Sequence, residues 1–230
     1  MAHEVLINVG AAETRVAVVA DGVLQDFYLE RTLGAEEEGR TGRGGHSLLG
    51  NIILGRVQRV LPGMQAAFVD IGTGRAGFLG AKEARCLADL PGFEEQALPC
   101  ITSCVREGQS ILVQVVKDPI GEKGARLSAN VTIAGRLLVL VPNQRGVALS
   151  RRIDDDAERA RLQAIVERLI ANGENRFITG AGYIVRTAAV GLGEDEIAED
   201  AERLAEDWRA LAMRKQAARP PATIHYDLDP

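Results

Sequence analysis

The sequence predicts an α+β fold with a small closed β-barrel at its centre, and two observations carry this prediction. Between residues 49 and 116, short runs rich in β-branched residues alternate with glycine-rich turns, which is typical of small barrels. After residue 153 the apolar residues instead recur at i, i+3 and i+4, the period of amphipathic helices. The chain has 230 residues, 46% of them apolar, which is enough to bury a core in one or two domains.

Three strands are predicted before the barrel, over residues 4–9, 14–20 and 23–29. The dipeptide Asp21-Gly22 supplies the hairpin turn between the second and the third strand. The segment 33–47, LGAEEEGRTGRGGHS, is rich in glycine and charge and has no apolar periodicity. It is therefore predicted to be a flexible loop or linker.

Four runs are predicted as strands of the barrel: IILGRVQRVL, QAAFVDIG, RAGFLG and QSILVQVV. A polar excursion, residues 82–109, separates the third run from the fourth and contains Pro91-Gly92. Such a composition predicts a long loop, which a small barrel tolerates between its strands.

The last third of the chain predicts a mixed α/β unit with strands over 137–141 and 182–187. A first helix is capped within the acidic run 154–156 and ends at Gly173. Its apolar stripe consists of Leu162, Ile165, Val166, Leu169 and Ile170. A second helix begins near Glu194 and stops before Pro220-Pro221. Its stripe consists of Ile197, Ala201, Leu204, Trp208 and Leu211.

The net charge of −5 is unevenly distributed along the chain. Residues 40–152 carry 15 Lys/Arg and 8 Asp/Glu, a net charge of +7, and the remainder carries −12. A basic middle segment can attract a polyanion despite the overall sign. The alternative is that the acidic flanks only keep the chain dissolved, and composition leaves both interpretations open.

A small five-stranded barrel of this kind binds single-stranded nucleic acid by stacking bases on aromatic side chains while basic side chains follow the phosphates. Phe68 and Phe78 are the candidate stacking residues. The candidate phosphate contacts are Arg56, Arg59, Arg75 and Lys82. The alternative is that both phenylalanines belong to the core, because only 4% of the residues are aromatic.

Cys86, Cys100 and Cys104 are odd in number and lack the partners of a zinc site, so they are interpreted as buried or unreactive thiols. No run reaches the roughly 18 apolar residues of a membrane helix. The N-terminus has no basic region followed by a long apolar core. A cytoplasmic location is therefore expected.

Five blocks of the sequence, in order, resemble the ribonuclease E/G family. The first is EVLINVG, and the second is NIILGRVQRVLPGMQAAFVDIGTGRAGFL (51–79), which resembles the RNA-binding barrel of that family. The others are KGARLSANVTIAGRLLVLVPN, SRRI and GYIVRTAAVG. The resemblance covers nearly the whole chain except the insertion 33–47.

The resemblance implies a fold in which an OB-type barrel is inserted between N-terminal strands and a mixed α/β sensor subdomain. It divides the chain into partial ribonuclease-H-like strands (1–32), the insertion (33–47), the RNA-binding barrel (48–120), a 5′-sensor subdomain (121–219) and a linker to a catalytic part that is not present (220–230).

The family's sensor grips the 5′-monophosphate of an RNA through an Arg-Thr pair, which matches Arg186 and Thr187 here, assisted by backbone around Gly135 and Val139. A guanidinium is a bidentate phosphate donor, and a neighbouring hydroxyl satisfies a further oxygen. Without the resemblance, the pattern alone favours a surface residue at a strand end for Arg186.

The barrel residues that the resemblance assigns to RNA are Phe68, Phe78 and Lys123. Arg75 and Arg56 remain the candidates for contacts to the RNA backbone. Arg151 and Arg152 match a basic pair near the sensor, or are a solvated surface pair.

By resemblance, the intact protein is a Mg²⁺-dependent endoribonuclease that cuts single-stranded RNA with 5′-monophosphate sensing, in rRNA processing and mRNA turnover. The family holds Mg²⁺ with two aspartates in a later subdomain, and a zinc link then joins two protomers into a homo-oligomer. No stretch of this chain resembles either part, so this chain is expected to bind RNA without cutting it. The alternative is a stand-alone, non-catalytic RNA-binding module.

Overall fold

The computed structural model describes six stretches of the chain: residues 3–10, 13–31, 47–87, 98–171, 177–178 and 180–227. Nearly all of the predicted insertion 33–47 lies outside the described residues, as does the predicted helix end at Gly173.

The first three strands form an antiparallel meander, in the order predicted. They are β1 (His3–Val9), β2 (Glu13–Ala20) and β3 (Val23–Arg31). Asp21 and Gly22 have φ angles of 49° and 78°, the two left-handed residues that a tight hairpin turn requires. Leu6 and Ile7 are both exposed, so the meander presents apolar side chains on both of its faces.

Five strands close the predicted barrel. They are β4 (Ile52–Leu61), β5 (Ala66–Asp70), β6 (Gly77–Gly80), β7 (Ser110–Lys117) and β8 (Arg126–Ser128). Their order is β4-β5-β6-β8-β7, and a β4–β7 pairing completes the ring. The pairing of β6 with β8 is parallel, and the other pairings are antiparallel. This strand order is that of the five-stranded OB-like barrel, so the predicted fold class is confirmed.

The closing strand β8 lies beyond residue 120, where the sequence analysis ended the barrel. The predicted boundary therefore falls before the fifth strand. Three residues are too few to show an apolar alternation, so the sequence pattern did not predict β8.

The excursion 82–109, predicted as a long loop, contains two short helices in its described part: α1 (Ala81–Ala84) and α2 (Ile101–Cys104). Ala84 and Ile101 are fully buried and belong to the barrel core, together with inward residues such as Val69 and Leu79. Four residues make a single turn without periodicity, so the pattern does not distinguish these helices from a loop.

The C-terminal unit packs two helices on a four-stranded sheet. The strands are β9 (Ile133–Ala134), β10 (Leu138–Val141), β11 (Gly146–Leu149) and β12 (Gly182–Val185), in the order β11-β12-β10-β9. The helices are α3 (Asp156–Ala171) and α4 (Glu194–Ala217). Both predicted stripes face the core, although Ile170 and Trp208 are only partly buried. Asp155 caps α3, because its Oδ1 accepts a 2.9 Å hydrogen bond from the N–H of Ala157.

After α4 the chain returns to the barrel as β13 (Ala222–His225), which pairs antiparallel with β4. The segment 220–230, predicted as a linker, thus contains a strand. Ile224 joins a core cluster that also includes Ile52 and Leu54 of the barrel and Leu138 of the C-terminal sheet. One apolar core therefore connects the barrel to the C-terminal unit. Among the described residues, no helix is long and apolar enough to cross a membrane.

Candidate nucleic-acid interface

The two candidate stacking residues lie side by side on the outer surface of the barrel. Phe68 of β5 pairs directly with Phe78 of β6, and their ring centroids are 6.1 Å apart in an edge-to-face arrangement. Their chain neighbours Ala67, Val69 and Leu79 are fully buried in the barrel core. Because strand residues alternate between faces, both rings project outwards and stay half-buried rather than joining the core.

In barrels of this type, the surface of the second and third strands and two adjacent loops contact oligonucleotides. Here these strands are β5 and β6, and the first loop is the 3₁₀ turn Pro62–Met64. Gln65 secures this loop to α2: its Oε1 accepts a hydrogen bond from the N–H of Ile101 at 3.0 Å, and its Nε2 donates to the carbonyl of Pro62 at 2.7 Å. The loop is thus held beside the phenylalanine pair.

The second loop, between β7 and β8, carries Lys123, which is exposed. Ile120 and Lys123 exchange backbone hydrogen bonds of 3.1 and 3.0 Å. A Cβ on Gly124 would lie 2.0 Å from the carbonyl oxygen of Ala76, so only glycine permits this close approach of the loop to β6. The loop therefore holds Lys123 beside the strand that carries Phe78.

The remaining barrel candidates differ in their contacts. The Arg75 guanidinium donates a hydrogen bond to the carbonyl of Gly121 and so ties the turn before β6 to the loop of Lys123. Arg56 is exposed on β4, opposite Asp70 of β5. Asp70 in turn accepts a 3.0 Å hydrogen bond from the N–H of Gly72, which gives it a structural role in the turn after β5.

The three cysteines differ in their exposure. Cys104 is buried and Cys86 half-buried, but Cys100 is exposed. Burial raises the pKa of the Cys86 thiol to about 11. Hydrogen bonding, above all from the Thr102 hydroxyl, lowers the pKa of Cys100. Cys100 is therefore not one of the buried thiols, and its reactivity stays a prediction.

The four candidate sensor residues meet at one edge of the C-terminal sheet. Arg186 follows β12, its N–H donates to the carbonyl of Leu137 at 2.8 Å, and its guanidinium donates to the carbonyl of Gly135. Val139 pairs with Ile184 of β12, and Thr187 opens a 3₁₀ turn. Arg186 and Thr187 are both exposed, so their donor groups face solvent at this edge.

A buried carboxylate that the sequence analysis missed shapes this edge. Asp200 of α4 is 5% exposed and accepts hydrogen bonds from the N–H groups of Arg136, Leu137 and Leu138 at 3.1, 2.9 and 2.9 Å. A Cβ on Gly135 would lie 2.5 Å from Asp200 Oδ2, so the turn requires glycine. Asp200 lies within the apolar stripe of α4, and an acid in an apolar stripe was the signal that could have revealed it.

Strand polarity adds further arginines to the same edge. Because β11 and β12 run parallel, their C-terminal ends lie at the same edge of the sheet. There the N–H of Ser150 donates a 2.8 Å hydrogen bond to the carbonyl of Val185. Arg151 and Arg152 follow Ser150 and are exposed. The edge therefore combines the candidate phosphate-binding pair with a second basic pair, consistent with the expected position of that pair near the sensor.

An ion pair anchors the chain that leaves Thr187. Glu158 accepts two 2.7 Å hydrogen bonds from the Arg161 guanidinium and one of 2.9 Å from the N–H of Gly191. The guanidinium also donates to the carbonyl of Leu192 at 3.0 Å. These contacts, the Arg161 hydrogen bonds first, lower the pKa of Glu158 to about 2. The turn after Thr187 is thus fastened to α3.

The described stretches contain no group of three His, Cys, Asp or Glu side chains that could hold a metal ion. Within these stretches, no cluster of that size is therefore available for the Mg²⁺ or the zinc that the resemblance implies.

Comparison with known proteins decides the family. The model of the ribonuclease E/G family matches residues 132–230. Ribonuclease G of Escherichia coli (strain K12) is 43% identical over 219 residues, which cover 94% of this chain. The chain belongs to the ribonuclease E/G family.

Other family members match over similar ranges. Ribonuclease G of Haemophilus influenzae is 43% identical over 93% of this chain and 40% of its own length. Ribonuclease E of Nostoc sp. is 42% identical over 80% of this chain and 25% of its own length. The match to the Escherichia coli ribonuclease G covers 41% of that relative, so the chain spans about two fifths of the ribonuclease G proteins that it resembles.

Proposed function

We propose that this chain is the RNA-binding portion of an endoribonuclease, which binds single-stranded RNA on its barrel and recognises a 5′-monophosphate at the edge of its C-terminal sheet. The observation that carries the proposal is the half-buried, outward-facing pair Phe68–Phe78 on the strands that barrels of this type use for oligonucleotides. Stacking one base on such a ring contributes about 1–3 kcal/mol.

The loops beside the pair supply the cations. Lys123, held next to β6, is positioned for a backbone phosphate of a strand that stacks on Phe78. Arg75 holds the Lys123 loop through Gly121 and keeps part of its guanidinium exposed for phosphate, and Arg56 extends the cationic surface along β4.

The 5′ end is recognised by Arg186 and Thr187. The guanidinium donates to phosphate oxygens, and the hydroxyl and the neighbouring backbone supply further donors. Asp200 keeps the turn at Gly135 in place, and Val139 follows this turn on β10, where it pairs with Ile184 and Ala134. A carbonyl already oriented by this turn accepts from Arg186, which pre-orients the guanidinium.

The full-length protein, on this proposal, hydrolyses single-stranded RNA in rRNA processing and mRNA turnover and is a cytoplasmic homo-oligomer. Mg²⁺ would supply an activated water for attack on the phosphodiester. On this proposal the present chain contributes binding and orientation of the RNA and is expected not to cut it.

The test measures binding of a 3′-fluorescent single-stranded RNA, in 5′-monophosphate and 5′-hydroxyl forms, by fluorescence anisotropy. Phe78→Ala should weaken binding of both forms about tenfold, the loss of one stacked base. Arg186→Ala and Arg186→Lys should abolish only the preference for the monophosphate, because lysine retains the charge but not the bidentate geometry.

Two matched variants control for nonspecific effects. Tyr226→Ala removes an aromatic side chain that is 65% exposed, and Arg203→Ala removes an exposed charge of α4. If Phe78→Ala binds RNA as Tyr226→Ala does, the barrel is not the RNA-binding surface. If wild-type protein shows no preference for the monophosphate, the sensor assignment fails. Mg²⁺-dependent cleavage by the chain would contradict its assignment as a binding portion.

A further inference from the structure

The strand register of the barrel aligns five side chains in a single row across all five strands. Arg59 pairs with Phe68, and Phe68 with Phe78. Phe78 pairs in turn with Arg126, and Arg126 with Lys117. Residues directly opposed on neighbouring strands share a face of the sheet, and because the five strands close into a ring, the row follows the circumference of the barrel. This cross-strand row thus has a phenylalanine pair at its centre and basic residues at both ends.

The row lies on the outside of the barrel. Arg59, Arg126 and Lys117 are exposed, whereas Ala125 and Leu127, on either side of Arg126, are buried. The next opposed pair along β7 and β8, Val115 with Leu127, is buried in the barrel core. The alternation of buried and exposed positions therefore assigns all five members of the row to the surface that carries the phenylalanines.

Two β-bulges create the row. If the side chains alternated strictly along each strand, Arg59 would face inwards like the buried Val57 two residues before it. Lys117 would likewise face inwards like the buried Val115. Register shifts between Val57 and Arg59 and between Val115 and Lys117 reverse the facing of the residues that follow. The two terminal cations of the row are thus exposed on the same surface as Phe68 and Phe78.

Arg126 has a weak partner in Glu83 of α1. The nearest nitrogen–oxygen distance is 3.9 Å, and the two side chains are 52% and 29% exposed. An exposed pair of this length contributes little to stability, about 0–1 kcal/mol. A phosphate can therefore replace Glu83 at little cost, in contrast to the two 2.7 Å hydrogen bonds that join Arg161 to Glu158.

We propose that the cross-strand row is one continuous track for single-stranded RNA. Arg126 binds the phosphate next to the base stacked on Phe78, Arg59 and Lys117 bind the flanking phosphates, and the strand displaces Glu83 from Arg126. This inference rests on the proposed binding of RNA by the barrel. It adds two phosphate-binding residues, Arg126 and Lys117, and a carboxylate that competes with the RNA.

The test uses the full chain and a single-stranded RNA of about 10 nucleotides with a 5′-hydroxyl, within the length that one such barrel covers. Affinity is measured by anisotropy from 0.05 to about 0.5 M salt. For single strands each phosphate contact adds about 0.7 to the slope of log affinity against log salt. Arg126→Ala and Lys117→Ala should each lower the slope by about 0.7 and weaken binding about fivefold at 0.1 M salt. Arg203→Ala, an exposed arginine of α4, should change neither quantity.

The role of Glu83 has its own test. Glu83→Gln keeps the backbone carbonyl that accepts the N–H of Ala129 and should tighten binding about two- to threefold. Glu199→Gln, an exposed acid of α4, controls for net charge. In the Arg126→Ala background, Glu83→Gln should have a smaller effect, because the competition for the guanidinium is then absent.

The outcomes separate this inference from the proposed function. If Phe78→Ala abolishes binding while Arg126→Ala and Lys117→Ala behave like Arg203→Ala, the barrel binds RNA but the track is refuted. If wild-type protein binds no RNA, the proposed function fails first. Melting temperatures equal to that of the wild type exclude misfolding of a variant, and Arg126→Lys, which keeps the charge, should restore most of the salt slope.

Discussion

Asp200→Asn tests the link between the buried core and the 5′-sensor edge. The Asp200 carboxylate accepts three backbone N–H groups, of Arg136 at Oδ1 and of Leu137 and Leu138 at Oδ2. An asparagine has only one oxygen, so its NH₂ group must face at least one of these N–H donors. The remaining hydrogen bonds also lose the charge that strengthens them.

The magnitude follows from these contacts. One charge-assisted hydrogen bond lost inside the protein costs about 1.5–3 kcal/mol, and an opposed donor pair adds to it. The neutral amide is easier to bury, which offsets part of this loss. We expect the free energy of unfolding to fall by about 2–3 kcal/mol, a shift of about 1 M in the urea midpoint for a chain of this size.

Trp208 provides the assay, because it is the only tryptophan of the chain and packs against the core around α4. Urea unfolding followed by its fluorescence measures the midpoint, with Glu199→Gln as the exposed control on the same helix. The variant should also lose the preference for 5′-monophosphate RNA while binding 5′-hydroxyl RNA normally. A midpoint within about 0.2 M of the wild type would refute the role assigned to Asp200.

Three further predictions concern the loops, the thiols and the pH response. Gly124→Ala should destabilise the chain by about 1–3 kcal/mol and weaken RNA binding, because the new Cβ meets the carbonyl of Ala76 at 2.0 Å. Iodoacetamide should alkylate Cys100 well before Cys86. Cys100 is exposed and its pKa is lowered, whereas burial raises the pKa of Cys86 to about 11. Peptide mass spectrometry measures the alkylation rate of each thiol. The Arg161 hydrogen bonds lower the pKa of Glu158 in the folded protein from its ordinary value of 4.5 to about 2, so its carboxylate stabilises the fold above pH 4.5 and loses this effect as the pH falls towards 2. The stability difference between wild type and Glu158→Gln, from urea midpoints, should therefore shrink over that range.

Each of these predictions has a control. Gly63→Ala adds the same methyl group in a loop where no atom lies within 4 Å of the new Cβ, and it should be neutral. Equal alkylation rates in the folded protein would contradict the thiol assignment, and unfolding in urea should equalise them. If Glu158→Gln loses as much stability at pH 3 as at pH 7, the ion pair with Arg161 is not the cause of the loss.

Much of the secondary structure was predictable because it depends on short-range patterns in the sequence. The run IILGRVQRVL became β4 residue for residue, and the stripe of α4 was predicted at every position because helical periodicity depends only on neighbours within two turns. The turn at Asp21-Gly22 followed from the left-handed preference of these residue types. The family resemblance added the candidate residues for RNA, which no local pattern identifies.

Other features depend on contacts between residues that are far apart in sequence. The composition left open whether Phe68 was a core or a surface residue. The closed barrel decided this, because it fixes which side chains of β5 face inwards and which face outwards. The closing strand β8 is three residues long and exists because β6 and β7 flank it.

The sequence by itself determined the longer strands and the two long helices of this protein, its order of α and β regions, and its family. Only the tertiary structure decided which side chains share a surface. Two bulges reverse the facing of Arg59 and Lys117, and Asp200 reaches backbone groups 62 to 64 residues away. The physical reason is that propensity and periodicity act within a few residues, whereas register and buried hydrogen bonds are set by the partner strand or helix that the folded chain supplies.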